Sequence, residues 1–339
     1  MPLQLKVASI QPIGPSGRLI QFERPVNWSH QPGQYLTLLL PIAGQEVRRS
    51  YSLCSLPEEA PAIAVARVTN GLASRWIIEQ VKVGDVLESL PPNGRFVLPT
   101  ALPPLLVFVA AGSGITAVLP LIRQALGENA VKVRLVYACK NQETAWFGAE
   151  LLTMQHQYPE RLYIHWFESQ PTAGIPKRIG NLGLEILVNS WPRWQEAHYF
   201  LCGPFAFMRT TRITLGFMGI HETSIHQENF ASEGQRFFNG KSVLDEAVTC
   251  EVHYKNGDKT MVWTAQKGEN VLNSAKKAGI NLDYSCENGF CGTCILHKKS
   301  GEVAHRINEV LTDAELAAGW ILSCTAYPTT SSLKLEVLS

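Results

Sequence analysis

The strongest chemical signal in this sequence is a set of four cysteines in its last third. Three of them fall within nine residues, and the fourth follows after 29 more: Cys286, Cys291, Cys294 and Cys324. A C-x4-C-x2-C loop with a distant fourth cysteine is the spacing of plant-type [2Fe–2S] sites. Structural zinc, the rival occupant, usually takes two C-x2-C-like pairs, and four merely buried thiols would not explain the dense loop. The spacing therefore predicts four thiolate ligands of an iron–sulfur cluster.

A second candidate site is a glycine-rich turn that follows the apolar run Leu105–Ala110 and opens a helix-like segment. Gly112 and Gly114 would let a pyrophosphate approach the backbone and the helix N-terminus, and Thr116 stands at the start of that helix. The G-x-G-x-x-A pattern is weak evidence alone. No acidic residue follows the next strand at Tyr137, so this is not the simple NAD fingerprint.

Two shorter motifs carry groups that could bind a ligand. Cys202-Gly203-Pro204 follows a short predicted strand, and ligands of parallel sheets bind at strand ends. Arg49-Ser50-Tyr51-Ser52 offers a cation for phosphate, an aromatic face for a ring system and a hydroxyl donor. Taken alone, the first is as consistent with a plain turn, and the second with an ordinary strand.

Three stretches of different pattern must position these residues. Residues 1–102 alternate short apolar runs with turn clusters, which predicts a small antiparallel barrel. Strands alternate with helix-like segments over 103–230, which predicts an α/β domain with a parallel sheet. The polar, glycine-containing segment 231–245 is interpreted as a linker. Residues 246–339 form a third unit that opens with a strand pair around Asn256-Gly257.

The charge balance excludes several classes of partner. The chain has 30 Lys+Arg against 29 Asp+Glu, which argues against a basic nucleic-acid surface and against a polybasic membrane anchor. Its most apolar stretch, Leu105–Ile122, is interrupted by glycines and is shorter than the ~20 residues of a membrane span. No secretory signal is readable at the start. We expect a cytoplasmic protein with reduced thiols, no nucleic-acid partner and no stable membrane insertion.

Together and in this order, the motifs resemble the ferredoxin–NADP reductase superfamily of flavoproteins, in the branch with a C-terminal plant-type ferredoxin domain. The resemblance covers nearly the whole chain. It implies a multidomain protein with an antiparallel β-barrel flavin domain, an α/β parallel-sheet nucleotide domain and an α+β ferredoxin domain of the β-grasp type. Reductase components of oxygenases and desaturases, such as the phenylacetyl-CoA epoxidase reductase, are similar in architecture.

The resemblance implies roles for the residues of the barrel. It places Arg49 on a flavin phosphate, Tyr51 on the isoalloxazine or ribityl group, and Ser52 near flavin N5 as a catalytic residue. Pro32-Gly33-Gln34-Tyr35 is similar to an early barrel motif of the family.

Two further segments favour FAD over FMN as the flavin. Gly71 and Ser74 resemble a segment whose amides and serine bind the FAD phosphate, although Asn70 stands where many relatives have glycine. Glu228-x-Phe230 resembles a segment often seen in FAD-containing members.

The nucleotide motifs are also similar to those of the family. Gly112, Gly114 and Thr116 resemble its nicotinamide-nucleotide loop, and Cys202 and Gly203 resemble the motif beside the nicotinamide. Cys202, expected as a catalytic residue, and Thr116 are candidates for positioning the nicotinamide and not for covalent catalysis.

The expected preference between NADPH and NADH depends on which charged residues face the ribose of the nucleotide. An NAD-selective site usually places a carboxylate on the ribose diol, and the strand after the glycine loop ends without one. Lys140 and Arg178 could instead face a 2′-phosphate, although both could equally be solvated surface cations. We therefore expect NADPH to be preferred over NADH.

The implied function is electron transfer from NAD(P)H through FAD to a [2Fe–2S] cluster and on to a partner oxygenase, hydroxylase or desaturase. Two alternatives stay open. One is a stand-alone diaphorase or flavin reductase without a dedicated partner, and the other is a redox-sensing iron–sulfur module. A sensor would turn over slowly with NAD(P)H and artificial acceptors, whereas a reductase would turn over fast.

The cysteine spacing generates a first prediction. Purified protein is expected to hold two irons and two acid-labile sulfides, the composition of a [2Fe–2S] cluster. Cys291→Ser is expected to lose the cluster, because one of four thiolates is gone, and to keep flavin reduction by NAD(P)H. Metal and sulfide analysis with anaerobic absorbance spectra checks this. Zinc in place of iron would contradict the cluster, and lost flavin reduction in a folded variant would contradict independent modules.

Overall fold

The computed structural model describes residues 2–68, 71–128, 131–230, 246–255, 259–285, 287, 289, 292–308 and 310–337. It divides into two compact units, Met1–Phe230 and Ala231–Ser339. The predicted linker 231–245 lies outside the described residues.

The first half of the first unit is an antiparallel barrel. Its elements are β1 (Leu3–Ile13), β2 (Gly17–Phe22), β3 (Tyr35–Ile42), β4 (Gln45–Ser52), β5 (Ala62–Ala66), α1 (Leu72–Gln80) and β6 (Val86–Ser89). The six strands pair in the order β4-β3-β6-β1-β2-β5. An isolated bridge between Leu53 and Ile63 brings the two edge strands together, so the sheet curls on itself. Leu36, Leu38 and Leu40 alternate into its core. The predicted antiparallel unit is confirmed.

The second half of this unit is a parallel sheet covered by helices. Its elements are β7 (Leu105–Ala111), α2 (Ile115–Gly127), β8 (Lys132–Cys139), α3 (Gly148–Gln157), β9 (Leu162–Glu168), α4 (Asn181–Asn189), β10 (His198–Cys202), α5 (Phe205–Phe217) and β11 (Ile225–Glu228). The strand order is β11-β10-β7-β8-β9, with every pair parallel. All seven residues of β7 are buried, as expected for a central strand covered on both faces. The predicted α/β sheet is confirmed.

The second unit is a mixed sheet that packs on one helix. Its elements are β12 (Val248–Tyr254), β13 (Lys259–Ala265), α6 (Val271–Lys277), β14 (Ile295–Ser300), β15 (Val303–His305), α7 (Asp313–Ala317), β16 (Trp320–Leu322), β17 (Ala326–Pro328) and β18 (Ser332–Val337). The main sheet has the order β13-β12-β18-β14-β16, with β12 and β18 parallel. Val271, Leu272 and Ala275 of α6 lie in its core. This is the expected β-grasp arrangement.

The barrel and the parallel sheet of the first unit are held together by specific contacts. The Arg123 guanidinium of α2 makes two hydrogen bonds with the Glu59 carboxylate of the barrel, one of them from Nη1 to Oε2 at 2.9 Å. Because this pairing is bidentate, it sets orientation as well as attraction. The Trp146 ring lies against Gly14 and Gly17. These contacts fix the orientation of the two halves of this unit relative to each other.

The barrel motif at Gly33 generates a stability prediction. Gly33 has φ +89°, and a Cβ there would lie 1.8 Å from the Phe96 carbonyl oxygen. Gly44 has φ +76° with nothing within 4 Å of a Cβ. We expect Gly44→Ala to cost about 1–2 kcal/mol from backbone conformation alone. Gly33→Ala is expected to cost about 4 kcal/mol or more, because backbone must also move. Chemical unfolding followed by circular dichroism measures both, and equal losses would contradict the steric argument.

Candidate functional site

The barrel motif lies on β4, which pairs along its length with β3. The register sets Arg49 opposite Leu38 and Tyr51 opposite Leu36. Because side chains alternate along a strand, Arg49 and Tyr51 share one face. Burial raises the pKa of Tyr51, and the nearby Arg49 charge opposes this only in part. A neutral phenol therefore stands beside a guanidinium, a pair that suits a ring system with a phosphate tail.

Ser52 ends β4 on the opposite face from Tyr51. It is buried, and its Oγ has no hydrogen-bond partner within the described part of the chain. Ser50, on the same face, is different because its hydroxyl lies 3.0 Å from Thr37 Oγ1. A buried hydroxyl without a partner costs about 1–3 kcal/mol. Ser52 is thus a polar group for which the described barrel provides no partner, and a bound ligand would supply one.

The predicted phosphate segment forms the start of α1. Gly71 is the residue before the helix, in extended conformation, while Asn70 lies outside the described residues. The Ser74 Oγ accepts a hydrogen bond from the Val68 amide at 3.3 Å and donates to the Gly71 carbonyl at 3.5 Å. The opening amides of a helix have no intrahelical partner and attract anions. Here the amides are available for phosphate, while the Ser74 hydroxyl closes the turn.

The two predicted nucleotide motifs meet at the carboxyl edge of the parallel sheet. They follow neighbouring strands, because Ala110 of β7 is in register with Cys202 of β10. A Cβ on Gly114 would lie 2.1 Å from the Cys202 carbonyl oxygen, whereas Gly112, at φ +55°, has nothing within 4 Å of a Cβ. Gly114 therefore lets the turns touch, and Gly112 leaves open space above the loop. Gly203 packs tightly too, since its Cβ would lie 2.9 Å from Ala111 Cβ.

The glycine loop is fixed by two hydroxyl groups. Thr116 is buried and its Oγ1 donates to the Ser113 carbonyl at 2.9 Å. The Tyr137 hydroxyl lies 3.1 Å from the Gly112 carbonyl and 3.3 Å from that of Trp146. Burial raises the pKa of Tyr137, so this hydroxyl stays a donor. The sequence analysis used Tyr137 only to mark a strand end and missed this role. The available signal was an aromatic hydroxyl near the end of a largely buried strand.

Cys202 is fully buried at the end of β10. Burial, with the Glu228 carboxylate as a second cause, raises the pKa of its thiol. Glu228 stands next to it because the register of β10 and β11 pairs the two residues. A protonated thiol is a poor nucleophile, which agrees with a positioning role. Phe230, two residues beyond Glu228, is exposed.

Two of the four cluster cysteines converge in the second unit. Cys294 and Cys324 are buried and unbridged, and their Sγ atoms lie 3.1 Å apart. Cys286 and Cys291 lie outside the described residues. Gly289 and Gly292 both have positive φ, and a Cβ on Gly289 would lie 2.6 Å from the Ile307 carbonyl oxygen. Two buried thiols aimed into one space are soft sulfur donors suited to an iron–sulfur cluster.

Three family descriptions match successive parts of the chain: "Oxidoreductase FAD-binding domain" at residues 4–98, "Oxidoreductase NAD-binding domain" at 108–212 and "2Fe-2S iron-sulfur cluster binding domain" at 254–329. The chain is 33% identical to the ferredoxin reductase component of 3-ketosteroid-9-alpha-monooxygenase from Rhodococcus rhodochrous, over 91% of this chain and 88% of the relative. The chain belongs to the family of ferredoxin reductase components.

Other members of this ferredoxin reductase family support the same architecture. One of the subunits of 1,2-phenylacetyl-CoA epoxidase from Escherichia coli K12 is 32% identical, over 90% of this chain and 88% of the relative. The solved structure of phthalate dioxygenase reductase is 27% identical with a TM-score of 0.64, covering 99% of this chain and 98% of that one. The predicted superfamily and three-part architecture are therefore confirmed.

This ferredoxin reductase is an NAD(P)H-dependent oxidoreductase that uses FAD and a [2Fe–2S] cluster. The residues present fit these groups. The buried Ser52 hydroxyl, which has no partner among the described residues, suits the flavin. The open space above Gly112 suits a pyrophosphate, and the neighbouring Cys294 and Cys324 thiols suit the cluster. No helix of the described residues is long and apolar enough to cross a membrane.

The edge of the sheet beyond the glycine loop holds Lys140, a carboxylate, and the backbone of Lys177, the residue before Arg178. Lys140 follows β8, and its carbonyl accepts the Gln170 amide at 2.7 Å. The residue before Arg178, Lys177, donates its amide to the Glu168 carbonyl at 2.7 Å. Glu168 ends β9 opposite Cys139, and its carboxylate accepts the Gln142 amide. The sequence analysis missed this carboxylate because a neighbouring strand supplies it.

Ser52 generates a prediction for this reductase. Ser52→Ala is expected to slow flavin reduction by NAD(P)H about tenfold, the effect of one lost hydrogen bond of about 1.4 kcal/mol, with FAD still bound. Ser50→Ala is the matched control, because that hydroxyl already faces Thr37. Stopped-flow absorbance measures both rates. A Ser52→Ala variant as fast as wild type would contradict the assignment.

The cations generate a prediction about nucleotide preference. We expect kcat/KM to be higher for NADPH than for NADH. Arg178→Ala is expected to lower kcat/KM for NADPH by roughly 1.5–3 kcal/mol, the range for a lost charged hydrogen bond, with NADH as the internal control. Glu168→Gln shows whether the carboxylate binds a ribose diol, since it would then lower kcat/KM for NADH. A wild-type preference for NADH would refute the prediction.

Proposed function

We propose that this chain is the reductase component of a multicomponent oxygenase, hydroxylase or desaturase system. The observation that carries the proposal is that FAD, NAD and 2Fe-2S domains occur in one chain. Relatives with this arrangement over about nine tenths of the chain are named as reductase components or subunits of monooxygenases and an epoxidase. A chain that carries its own ferredoxin domain needs no separate ferredoxin to reach a protein acceptor.

The chain's own residues hold and align the reactants. When bound, FAD would supply hydride acceptance from NAD(P)H and release of the two electrons one at a time. Arg49 and the opening amides of α1, from Leu72 onward, bind the flavin phosphates, while Tyr51 and Ser52 contact its ring system. Gly112, in the nucleotide loop, leaves room for a phosphate group, while Gly71 allows the tight turn before α1, where a Cβ would lie 2.5 Å from Ser74 Oγ.

The nicotinamide end is aligned by buried groups. Gly114 and Gly203 bring the two turns together, Thr116 fixes the loop, and Cys202 presents a neutral thiol beside the nicotinamide. Lys140 and Arg178 bind the 2′-phosphate of NADPH, and Phe230 packs near the flavin. Four thiolates, those of Cys286, Cys291, Cys294 and Cys324, bind the cluster.

We further propose a cytoplasmic location. Thiolate-held iron–sulfur clusters require reduced cysteines, which reducing compartments maintain. Four other cysteines are unbridged, namely Cys54, Cys139, Cys202 and Cys250.

Separate electron acceptors test this function. Ferricyanide takes electrons at the flavin, whereas a protein acceptor receives them from the cluster. Cys324→Ser is therefore expected to retain NADPH–ferricyanide activity and to lose reduction of a co-purified oxygenase or desaturase component. Cys250→Ser is the matched control, because that thiol is also buried in the second unit and burial raises its pKa to about 11.

Other outcomes would favour the alternatives. Fast turnover with ferricyanide that never reaches any protein acceptor, in a protein with a full cluster, would favour a stand-alone diaphorase. Slow turnover with every acceptor would favour a redox sensor. Capture of an oxygenase or desaturase component that the reduced protein then reduces would support the proposal.

A further inference from the structure

Ser323, in the second unit, has a buried hydroxyl that the described residues do not satisfy. The residue is fully buried, and its Oγ has no hydrogen-bond partner among the residues that the structure describes. Leaving such a group unpaired is costly, and native structures rarely do so without reason. The position of Ser323 in the fold indicates which group accepts a hydrogen bond from this hydroxyl.

Ser323 stands beside two of the proposed cluster ligands. It directly precedes Cys324 in the chain, and its amide donates to the Cys294 carbonyl at 3.0 Å. This bond extends the antiparallel register of β14 and β16, in which Ile295 faces Leu322. The bond holds the backbone of Ser323 against that of Cys294, just beyond the ends of the two strands.

The described residues around this hydroxyl provide it with no acceptor. Leu296 and Ile321, the next pair along the two strands, are buried and apolar. The backbone groups of Ser323 are already used, since its carbonyl accepts the Leu272 amide at 3.0 Å. Cys294 and Cys324 bring the proposed cluster site next to this backbone, and the cluster sulfurs would supply the acceptor that the described residues do not.

Thr325 provides an internal contrast. It flanks Cys324 on the other side, and its Oγ1 donates to the Ile307 carbonyl at 2.6 Å. Of the two hydroxyls that bracket Cys324, one is satisfied by a described residue and the other is not. Packing alone does not explain the difference, because both residues are buried.

We propose that the Ser323 hydroxyl donates a hydrogen bond to a sulfur atom of the [2Fe–2S] site and raises its reduction potential. A donor to sulfur stabilises the reduced form, which carries one more negative charge, and hydrogen bonds to sulfur are among the known determinants of cluster potential. Ser323 is a positioning and tuning residue, not a ligand. The inference rests on the proposed ligand set and concerns how readily electrons move from flavin to cluster.

The test compares cluster potentials in the intact, cluster-loaded protein. Ser323→Ala is expected to disfavour cluster reduction about tenfold, a negative shift of about 59 mV for one electron. Thr325→Val is the matched control and is expected to leave the potential near wild type, as is Ser323→Thr, which keeps a hydroxyl. EPR-monitored potentiometric titration measures all four proteins. A Ser323→Ala potential equal to wild type, or a Thr325→Val shift of the same size, would overturn the proposal.

Two further measurements separate this proposal from the proposed function. Iron and sulfide analysis with the EPR signal of the reduced protein tests for the cluster itself, and a wild-type protein without that signal would refute the function. If Ser323→Ala does not retain the cluster, pulsed EPR of the wild type and Ser323→Thr in H2O and D2O decides. Both must show an exchangeable proton coupled to the reduced cluster, and its absence overturns the role of Ser323.

Discussion

The close approach of two backbone turns at the edge of the parallel sheet is the constraint on which the nucleotide site depends. Gly114 packs directly against the Cys202 carbonyl, where any Cβ would collide. This contact exists because β7 and β10 are hydrogen-bonded neighbours with aligned carboxyl ends. It brings together motifs that lie about ninety residues apart in the sequence. Around this contact lie the buried Cys202 thiol, the open space at Gly112 and the Tyr137 hydroxyl that bonds to the Gly112 carbonyl.

Within the described part of the chain, each of the two units leaves a buried serine hydroxyl unpaired at the place where a cofactor is proposed to bind. Ser52 ends a barrel strand, and Ser323 precedes a cluster cysteine. The nearby Ser50 and Thr325, each two residues away in the chain, have protein partners. Since an unpaired buried hydroxyl lowers stability, these two positions are better explained by ligands than by packing. The protein then supplies alignment and hydrogen bonds, while the cofactors carry the electrons.

Much of the architecture was predictable because it follows from local patterns. Continuous apolar runs predicted the buried parallel strand β7, and short runs between turns predicted the barrel. Helix α4 and strand β11 were not foreseen, because α4 exposes Leu182 and Ile186 on its outer side and β11 is only four residues long. Neither segment shows a clear hydrophobic periodicity in the sequence, and both are stabilised by neighbours distant in the chain.

The sequence by itself determined the cysteine spacing, the glycine positions and the order of the motifs, because ligand loops and tight turns require particular residue types at fixed short separations. Only the tertiary structure decided which distant groups meet. Strand order brought Glu168 to the sheet edge that carries the glycine loop, and it placed the Tyr137 hydroxyl within hydrogen-bond distance of the Gly112 carbonyl. Strand alternation placed Ser52 and Tyr51 on opposite faces of β4. These outcomes depend on strand order and register, which arise from packing over the whole sheet and leave no local signature in the sequence.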